Sequence, residues 1–507
     1  MTEKQIGKEW TKSDILKSAL LFTLHVCIFI LVVAGMLLFF ASEWSGISEA
    51  FHERGANYLY ALFCVVLLFI IAYFYFFFED REVLQQGKLT ALVFTVLDIY
   101  LIAAFLIGYN LAIYARPVAL VALLIFVLIG RRTAIFMNIF CALLVFVIDM
   151  FAVPEFVVNA KECYSSLIIA FSAGMIAIFF GNKSKTRFRI ILIGVVIVIP
   201  IDLVIFLLEI TGLVRASAEV VGEVSSFQRV ITQMGYGVFG GVMSTVIYIA
   251  ILPVFEKMFN CLTVYRLREL TSSDSRILRK LKAEAPGTYN HSMMVSQLAE
   301  ASAAAIGENP DYARAAALYH DVGKLHYPEH FTENQGDYNL HDELTPELSA
   351  DIIRSHAKDG YTLIRNYHLP EFFADVALEH HGTMPIRYFY AKALKMTDGE
   401  LNIEDFSYMG PKPQTKIAAI VMIADASEAA VRAVGARTPD EAEKAIRAVI
   451  EERMDLEQFA ECDITMADLT KIRLALVNTL SGVYHHRIQY PGLKYRRTES
   501  GTKGENE

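Results

Sequence analysis

A basic excess is missing: Lys and Arg number 46 against 55 Asp and Glu, a formal net charge of −9 over 507 residues. A nucleic-acid binder normally carries surplus positive charge on its binding domain. Cysteine is scarce too, with six residues and no CxxC pair, which excludes a zinc ribbon, a dithiol redox site and a disulfide scaffold. Cys27, Cys64 and Cys141 lie inside apolar runs and Cys163 just before one, so reduced, mostly buried thiols are expected. Charge of either sign is thin at 20%, against 54% hydrophobic residues. That much apolar content excludes a disordered chain and does not suit one wholly soluble globule. The charges are also uneven. Long apolar runs fill Ile15 to Phe255, and an ordinary charged, helix-rich sequence follows from Glu256.

About 20 apolar residues cross a bilayer as a helix. Eight candidate spans follow, at 16–41, 58–78, 89–110, 118–130, 134–153, 165–181, 190–212 and 234–255. The fourth is short enough to be tilted or re-entrant, although Arg116-Pro117 and Arg131-Arg132 bracket it like a crossing. With the N-terminus inside, Lys4, Lys8, Lys12, Lys17, Arg81, Lys88, Arg131, Arg132, Lys183, Lys185, Arg187 and Arg189 fall on the inner side. Arg54, Arg116, Lys161, Arg215 and Arg229 fall outside. Twelve against five obeys the positive-inside rule, and an even number of crossings returns Glu256 to the cytoplasm. The first span is longer than a signal-peptide core and its exit is a weak cleavage site, so a retained anchor is expected. Asp98, Asp149, Asp202 and Glu209 lie within the spans, where a carboxylate is costly. Asp149 and Glu209 sit near span ends within reach of water, and a packing role is expected for all four.

Residues 256–285 form a helical connector with an apolar stripe at Leu262, Tyr265, Leu270, Ile277, Leu278 and Leu281. Thr271-Ser-Ser-Asp274 marks a helix start near Ser275. Such a connector suits a homodimer.

Of 13 histidines, nine fall between His291 and His381. His291, His320-Asp321, His356, His380-His381 and Asp425 form an ordered set, flanked by Ala- and Leu-rich helical sequence with few strand formers. Imidazoles and carboxylates without thiolates argue against structural zinc and toward iron, manganese or another metal at ease with N and O. Seven ligands exceed the needs of one catalytic ion. Two divalent ions sharing a bridging carboxylate fit the count, and such a pair suits in-line attack on a phosphodiester. His380 and His381 diverge by about 100° on a helix, so they are expected at a helix end.

The pattern H…HD…H…HH…D resembles the HD superfamily of metal-dependent phosphohydrolases. Gly287-Thr-Tyr-Asn-His-Ser292, His320-Asp-Val-Gly-Lys324, Phe331-Thr-Glu-Asn-Gln335, Glu379-His-His-Gly-Thr383, Tyr388-Phe-Tyr390 and Gly410-Pro-Lys-Pro-Gln-Thr-Lys416 are similar to the membrane-bound HD hydrolases of the PgpH type. That resemblance implies an all-α protein: a polytopic transmembrane helix bundle followed by a cytoplasmic all-helical HD domain. It divides the chain into an anchor segment 1–57, a seven-helix region 58–255, the connector, an HD domain 286–490 and a polar tail 491–507. It implies hydrolysis of cyclic di-AMP to pApA in second-messenger signalling, with the bilayer and the cyclic dinucleotide as partners and no nucleic acid polymer. His291, His320, Asp321 and Asp425 would bind one ion; Asp321 would bridge to the other, held by His356, His380 and His381. The implied nucleophile is water activated by the ions, and Lys324, one turn past Asp321, would neutralise phosphate charge or assist the leaving oxygen. Relatives typically carry a large external domain after the first span, whereas here only residues 42–57 intervene. Gly-Thr-Met-Pro-Ile-Arg after the histidine pair weighs against the cyclic di-GMP enzymes of the HD-GYP type. Another nucleotide (cyclic di-GMP, a dNTP or an alarmone) and a non-catalytic nucleotide sensor stay open as alternatives. His326, His330, His341 and His368 are expected at the surface or behind the ligands, His485-His486 outside the site, and Tyr289, Tyr388 and Tyr390 in the core. Lys412 and Lys416 are candidates for phosphate contact.

Overall fold

The computed structural model describes residues 11–40, 44–151, 160–181, 187–216, 226–336, 338–396, 400–436 and 438–483; His485 and His486 lie outside them. Helices and short 3-10 turns make up the fold, with no strand among the described residues. In chain order the helices are α1 (Lys12–Phe40), α2 (Trp44–Phe78), α3 (Arg81–Gln85), α4 (Gly87–Asn110), α5 (Leu120–Leu128), α6 (Arg131–Phe151), α7 (Ala160–Gly181), α8 (Arg187–Ala216) and α9 (Ser226–Met258). There follow α10 (Val264–Leu270), α11 (Arg276–Glu284), α12 (Pro286–Ile306), α13 (Pro310–Tyr319), α14 (Pro346–Asn366), α15 (Glu371–Glu379), α16 (Arg387–Leu394), α17 (Lys416–Ala433), α18 (Pro439–Asp455) and α19 (Met466–Val483). Two compact units result, residues 1–279 with 362–374, and 280–361 with 375–507.

In the first unit, seven helices are long and apolar enough to cross a membrane: α1, α2, α4, α6, α7, α8 and α9. They cover seven of the eight expected spans. The fourth, expected to be short, is interrupted. It contains only the nine-residue α5, about 13 Å long at 1.5 Å per residue, against a hydrocarbon core of about 30 Å. The cause is Pro117, which pushes the residue before it out of helical geometry; Arg116 is extended at φ −64°, ψ 144°. A 3-10 turn, Ile113–Ala115, precedes the break. Irregular backbone at membrane depth persists only where protein surrounds it, and here Ile113, Tyr114, Ala115, Arg116, Val118 and Ala119 are all buried.

Arg116 is no flanking charge. Its guanidinium is paired with both oxygens of Asp149 on α6, and both residues are buried. The expectation that Asp149 reaches water is therefore wrong: α6 turns it inward onto a counter-charge. Tyr114 Oη lies 2.8 Å from Ser165 Oγ, and the Ala119 N–H donates to Ser244 Oγ at 3.3 Å. Phe22, Phe69, Phe94 and Phe140 pack as edge-on and stacked rings in the core between α1, α2, α4 and α6. Close α8–α9 packing follows from small residues: a Cβ on Gly237 would sit 2.6 Å from Asp202 Oδ1, and one on Gly194 2.4 Å from Thr245 Oγ1.

In the second unit α12 packs against α13, α17 and α19, and α18 covers α17 and α19. Side-chain caps set the starts: Asn309 for α13, Thr415 for α17, and a Thr438–Glu441 capping box for α18. Each accepts an otherwise orphaned N–H of the first turn. Of the connector's apolar stripe, Ile277, Leu278 and Leu281 of α11 are buried, and Leu262, Tyr265 and Leu270 are half-buried.

Candidate metal centre

Six elements bring the histidine set together. His291 projects from the middle of α12, and His320 ends α13. Asp321 opens the 3-10 turn Val322–His326. His356 lies on α14 and Asp425 on α17. His380 and His381 follow the end of α15, where Gly382 takes the left-handed φ of +53° that suits a residue without Cβ. That turn lets adjacent imidazoles face one centre. The 3-10 turn can approach α14 because residue 323 is glycine: a Cβ there would stand 1.9 Å from the His356 carbonyl oxygen.

The seven side chains fall into two groups that share one point. His291, His320 and Asp425 converge, as do Asp321, His356, His380 and His381. Asp321 joins them. Its Oδ2 lies 3.3 Å from His320 Nε2 and 3.7 Å from His291 Nε2. Its Oδ1 lies 3.3 Å from His356 Nε2 and 3.7 Å from His380 Nε2. His291 Nε2 is 2.9 Å from Asp425 Oδ1, and His381 Nδ1 is 3.9 Å from Asp425 Oδ2. Lys324 Nζ sits 2.7 Å from Asp321 Oδ2 and 2.8 Å from Glu333 Oε1.

Titration follows this geometry. Burial raises Asp321 and Asp425, but the cationic partners override it and hold both well below the usual carboxylate range: His320 and Lys324 for Asp321, His291 and His320 for Asp425. Burial lowers His291 and His320, yet the carboxylates push them to about 9 and about 10. Burial lowers His356, His380 and His381, with His380 down to about 3. These three stay neutral, as metal ligands must. Lys324 is raised despite its burial by Asp321 and Glu333.

The donor set fits metal ions on a tautomer argument. His320, His356 and His380 each place Nδ1 against the carbonyl three residues back, of Ala317, Ile353 and Ala377, at 2.6, 2.5 and 2.8 Å. A carbonyl only accepts, so each Nδ1 carries a proton; His356 and His380, which stay neutral, present the Nε2 lone pair inward, and His320 does so once its second proton is displaced. His356 Nε2 and His380 Nε2 then face each other at 3.3 Å with no proton to share. His320 Nε2 and Asp321 Oδ1 are likewise buried without a hydrogen bond. Converging lone pairs of this kind call for cations between them.

Residues 288–430 match the HD domain family, and residues 56–263 match the family described as a 7TM receptor with intracellular HD hydrolase. The chain thus joins a region similar to the 7TM-HD receptors to one similar to the HD domains. It is 35% identical over 442 residues to the cyclic-di-AMP phosphodiesterase PgpH of Bacillus subtilis, covering 85% of this chain and 60% of that protein. It is 46% identical over 259 residues to PgpH of Listeria monocytogenes, covering 51% of this chain and 36% of that one. The chain thus spans 60% or less of these curated relatives' lengths. The crystal structure of the L. monocytogenes PgpH HD domain in complex with cyclic-di-AMP is 48% identical, covering 42% of this chain and 99% of that chain, with a TM-score of 0.40.

The surroundings of several other residues are now defined. Tyr388 is 66% exposed, not core, because α16 turns only Phe389 and Ala393 inward. His341 is buried, its Nε2 donating to the His330 carbonyl at 2.8 Å. Lys416 pairs with Asp468 and Glu308 at 3.4 and 3.9 Å. Sequence reading missed Glu428, whose Oε2 lies 2.8 Å from His291 Nδ1. Its position one turn after Asp425 on the same helix face was the available cue. Tyr408, stacked on His381 at 4.2 Å, carried no such cue.

Proposed function

We propose that the chain is a membrane-anchored, metal-dependent phosphodiesterase that hydrolyses cyclic di-AMP to pApA. The observation that carries this is Asp321, whose two oxygens face two separate sets of inward-turned ligands. His291, His320, Asp321 and Asp425 would hold one ion, and Asp321, His356, His380 and His381 the other; iron or manganese suits this N and O set. Bound there, two divalent ions supply Lewis-acid polarisation of phosphoryl oxygens and a lowered pKa for water. The chain's own residues fix the geometry: backbone carbonyls lock three imidazoles in one tautomer, and Lys324 holds the bridging carboxylate against Glu333. The Lys324 ammonium is also the side-chain cation that can meet the phosphate or the leaving oxygen. The PgpH relatives support the choice of substrate.

The HD domain and the N-terminus belong in the cytoplasm under this reading, in keeping with the inner cluster of lysines and arginines. Seven full-length helices alone would put them on opposite sides. The eighth crossing is the broken stretch 113–128. Pairing of two chains through the connector is not part of the proposal.

The test is the purified full chain in detergent with Mn(II), assayed on cyclic di-AMP beside cyclic di-GMP. Release of pApA with preference for the adenine substrate is expected. A folded, metal-loaded chain that turns over neither substrate overturns the proposal.

A further inference from the structure

We infer that the two metal sites are unequal: Glu428, acting through His291, makes the site of His291, His320, Asp321 and Asp425 the tight one, and the site of His356, His380 and His381 the exchangeable one. The inference rests on the two-metal reading above.

The asymmetry lies behind the ligands. His320, His356 and His380 donate from Nδ1 to neutral carbonyls, whereas His291 places Nδ1 2.8 Å from the Glu428 carboxylate. A carboxylate behind an imidazole makes the ring a stronger electron donor and pins its orientation, and losing such a partner typically costs about 10–100-fold in metal affinity. Glu428 is buried, and its other charged neighbour, Arg432 at 3.6 Å, is half-exposed and screened by water. Charge adds to the difference. The first site faces Asp425 and Asp321 with Glu428 behind; the second shares only Asp321 and is otherwise neutral imidazole. Only the His381 side chain, 23% exposed, reaches the surface from the second site; His356 and His380 are as buried as His320. The second ion therefore has fewer negative charges to hold it.

Glu428 is a positioning residue, and Glu428→Gln keeps its shape and an acceptor while removing its charge. The full chain, stripped with chelator in detergent, is titrated with Mn(II) while the free ion is followed by electron paramagnetic resonance. The wild type is expected to take up two ions in two distinct steps. In Glu428→Gln the tight step weakens about 10–100-fold and the weak step stays where it was. A merely structural defect would weaken both. Two equivalent sites in the wild type, an unchanged tight step in the variant, or equal weakening of both steps would overturn the inference. The wild-type isotherm decides alone if circular dichroism shows the variant unfolded. A wild type that binds no Mn(II) would instead overturn the two-metal reading itself.

Discussion

Replacing Asp321 by Asn keeps the side chain's outline and removes one charge and one acceptor from the point that both ligand groups share. Asp321 is 1% exposed, so no water takes over the lost contacts. Whichever way the amide settles, one ligand set meets an N–H donor and the other a neutral oxygen. Loss of a single preorganised electrostatic group typically costs 10²–10³ in rate, or about 2.7–4 kcal/mol. Because Asp321 serves both sides, turnover is expected to fall by at least about 10³-fold, equivalent to about 4 kcal/mol. Stability should fall too. Lys324 and His320 lose their nearest counter-charge, and breaking a buried pair costs about 3–5 kcal/mol, here toward the lower end because Glu333 stays 2.8 Å from Lys324. The assay combines pApA release by chromatography, metal content by elemental analysis, and thermal melting of the metal-free full chain. An Asp321→Asn chain that keeps two ions and more than about a tenth of its turnover would refute the shared-carboxylate reasoning.

Gly323→Ala places a Cβ against the backbone of His356 and Gly360, which cannot yield without drawing α14 away from Asp321. A loss of about 1–3 kcal/mol with at least about tenfold lower turnover is expected; wild-type melting and activity would contradict the close approach. In the membrane unit, Asp149→Asn takes the carboxylate from buried Arg116 and should cost about 3–5 kcal/mol. That loss is read as a lower melting temperature in detergent with Mn(II) uptake unchanged, and an unaltered melt would show the pair to be dispensable. Metal affinity should depend on pH. His291 and His320, raised to about 9 and about 10, hold protons that a metal must displace, so affinity climbs with pH and levels off above that range. The metal-free chain behaves in the opposite sense. Its extra stability from these two protonated rings is complete below their ordinary pKa near 6.5 and lost as pH rises through 9 to 10. A pH-independent Mn(II) isotherm between pH 6 and 9 would argue that the rings are neutral from the start.

The seven converging side chains were legible in the sequence because each is a residue type with its own chemistry in an ordered set. What holds them in place was not. The Nδ1 partners of His320, His356 and His380 are carbonyls of Ala317, Ile353 and Ala377, and every residue has a carbonyl. The tautomers therefore depend on helix geometry that no residue identity records. Gly323 was visible as part of a motif, but its reason, the passage of the 3-10 turn across α14, needs the fold.

The membrane half shows a related limit. Hydropathy weighs each residue singly, so Arg116 and Asp149 registered as two polar interruptions at span ends. Packed together, they are one neutral, hydrogen-bonded unit whose attraction is strong because water is excluded, and they tie the broken 113–119 stretch to α6. The same neighbours leave room for the break. A Cβ on Gly108 would stand 2.4 Å from the Arg116 Nε, and one on Gly240 2.6 Å from the Arg116 carbonyl oxygen. Two glycines on flanking helices and one ion pair thus permit what Pro117 compels, an interrupted helix inside the bundle. The interruption was readable from Pro117, but its tolerance also rests on Asp149 and Gly240, two residues distant in sequence that no local window joins.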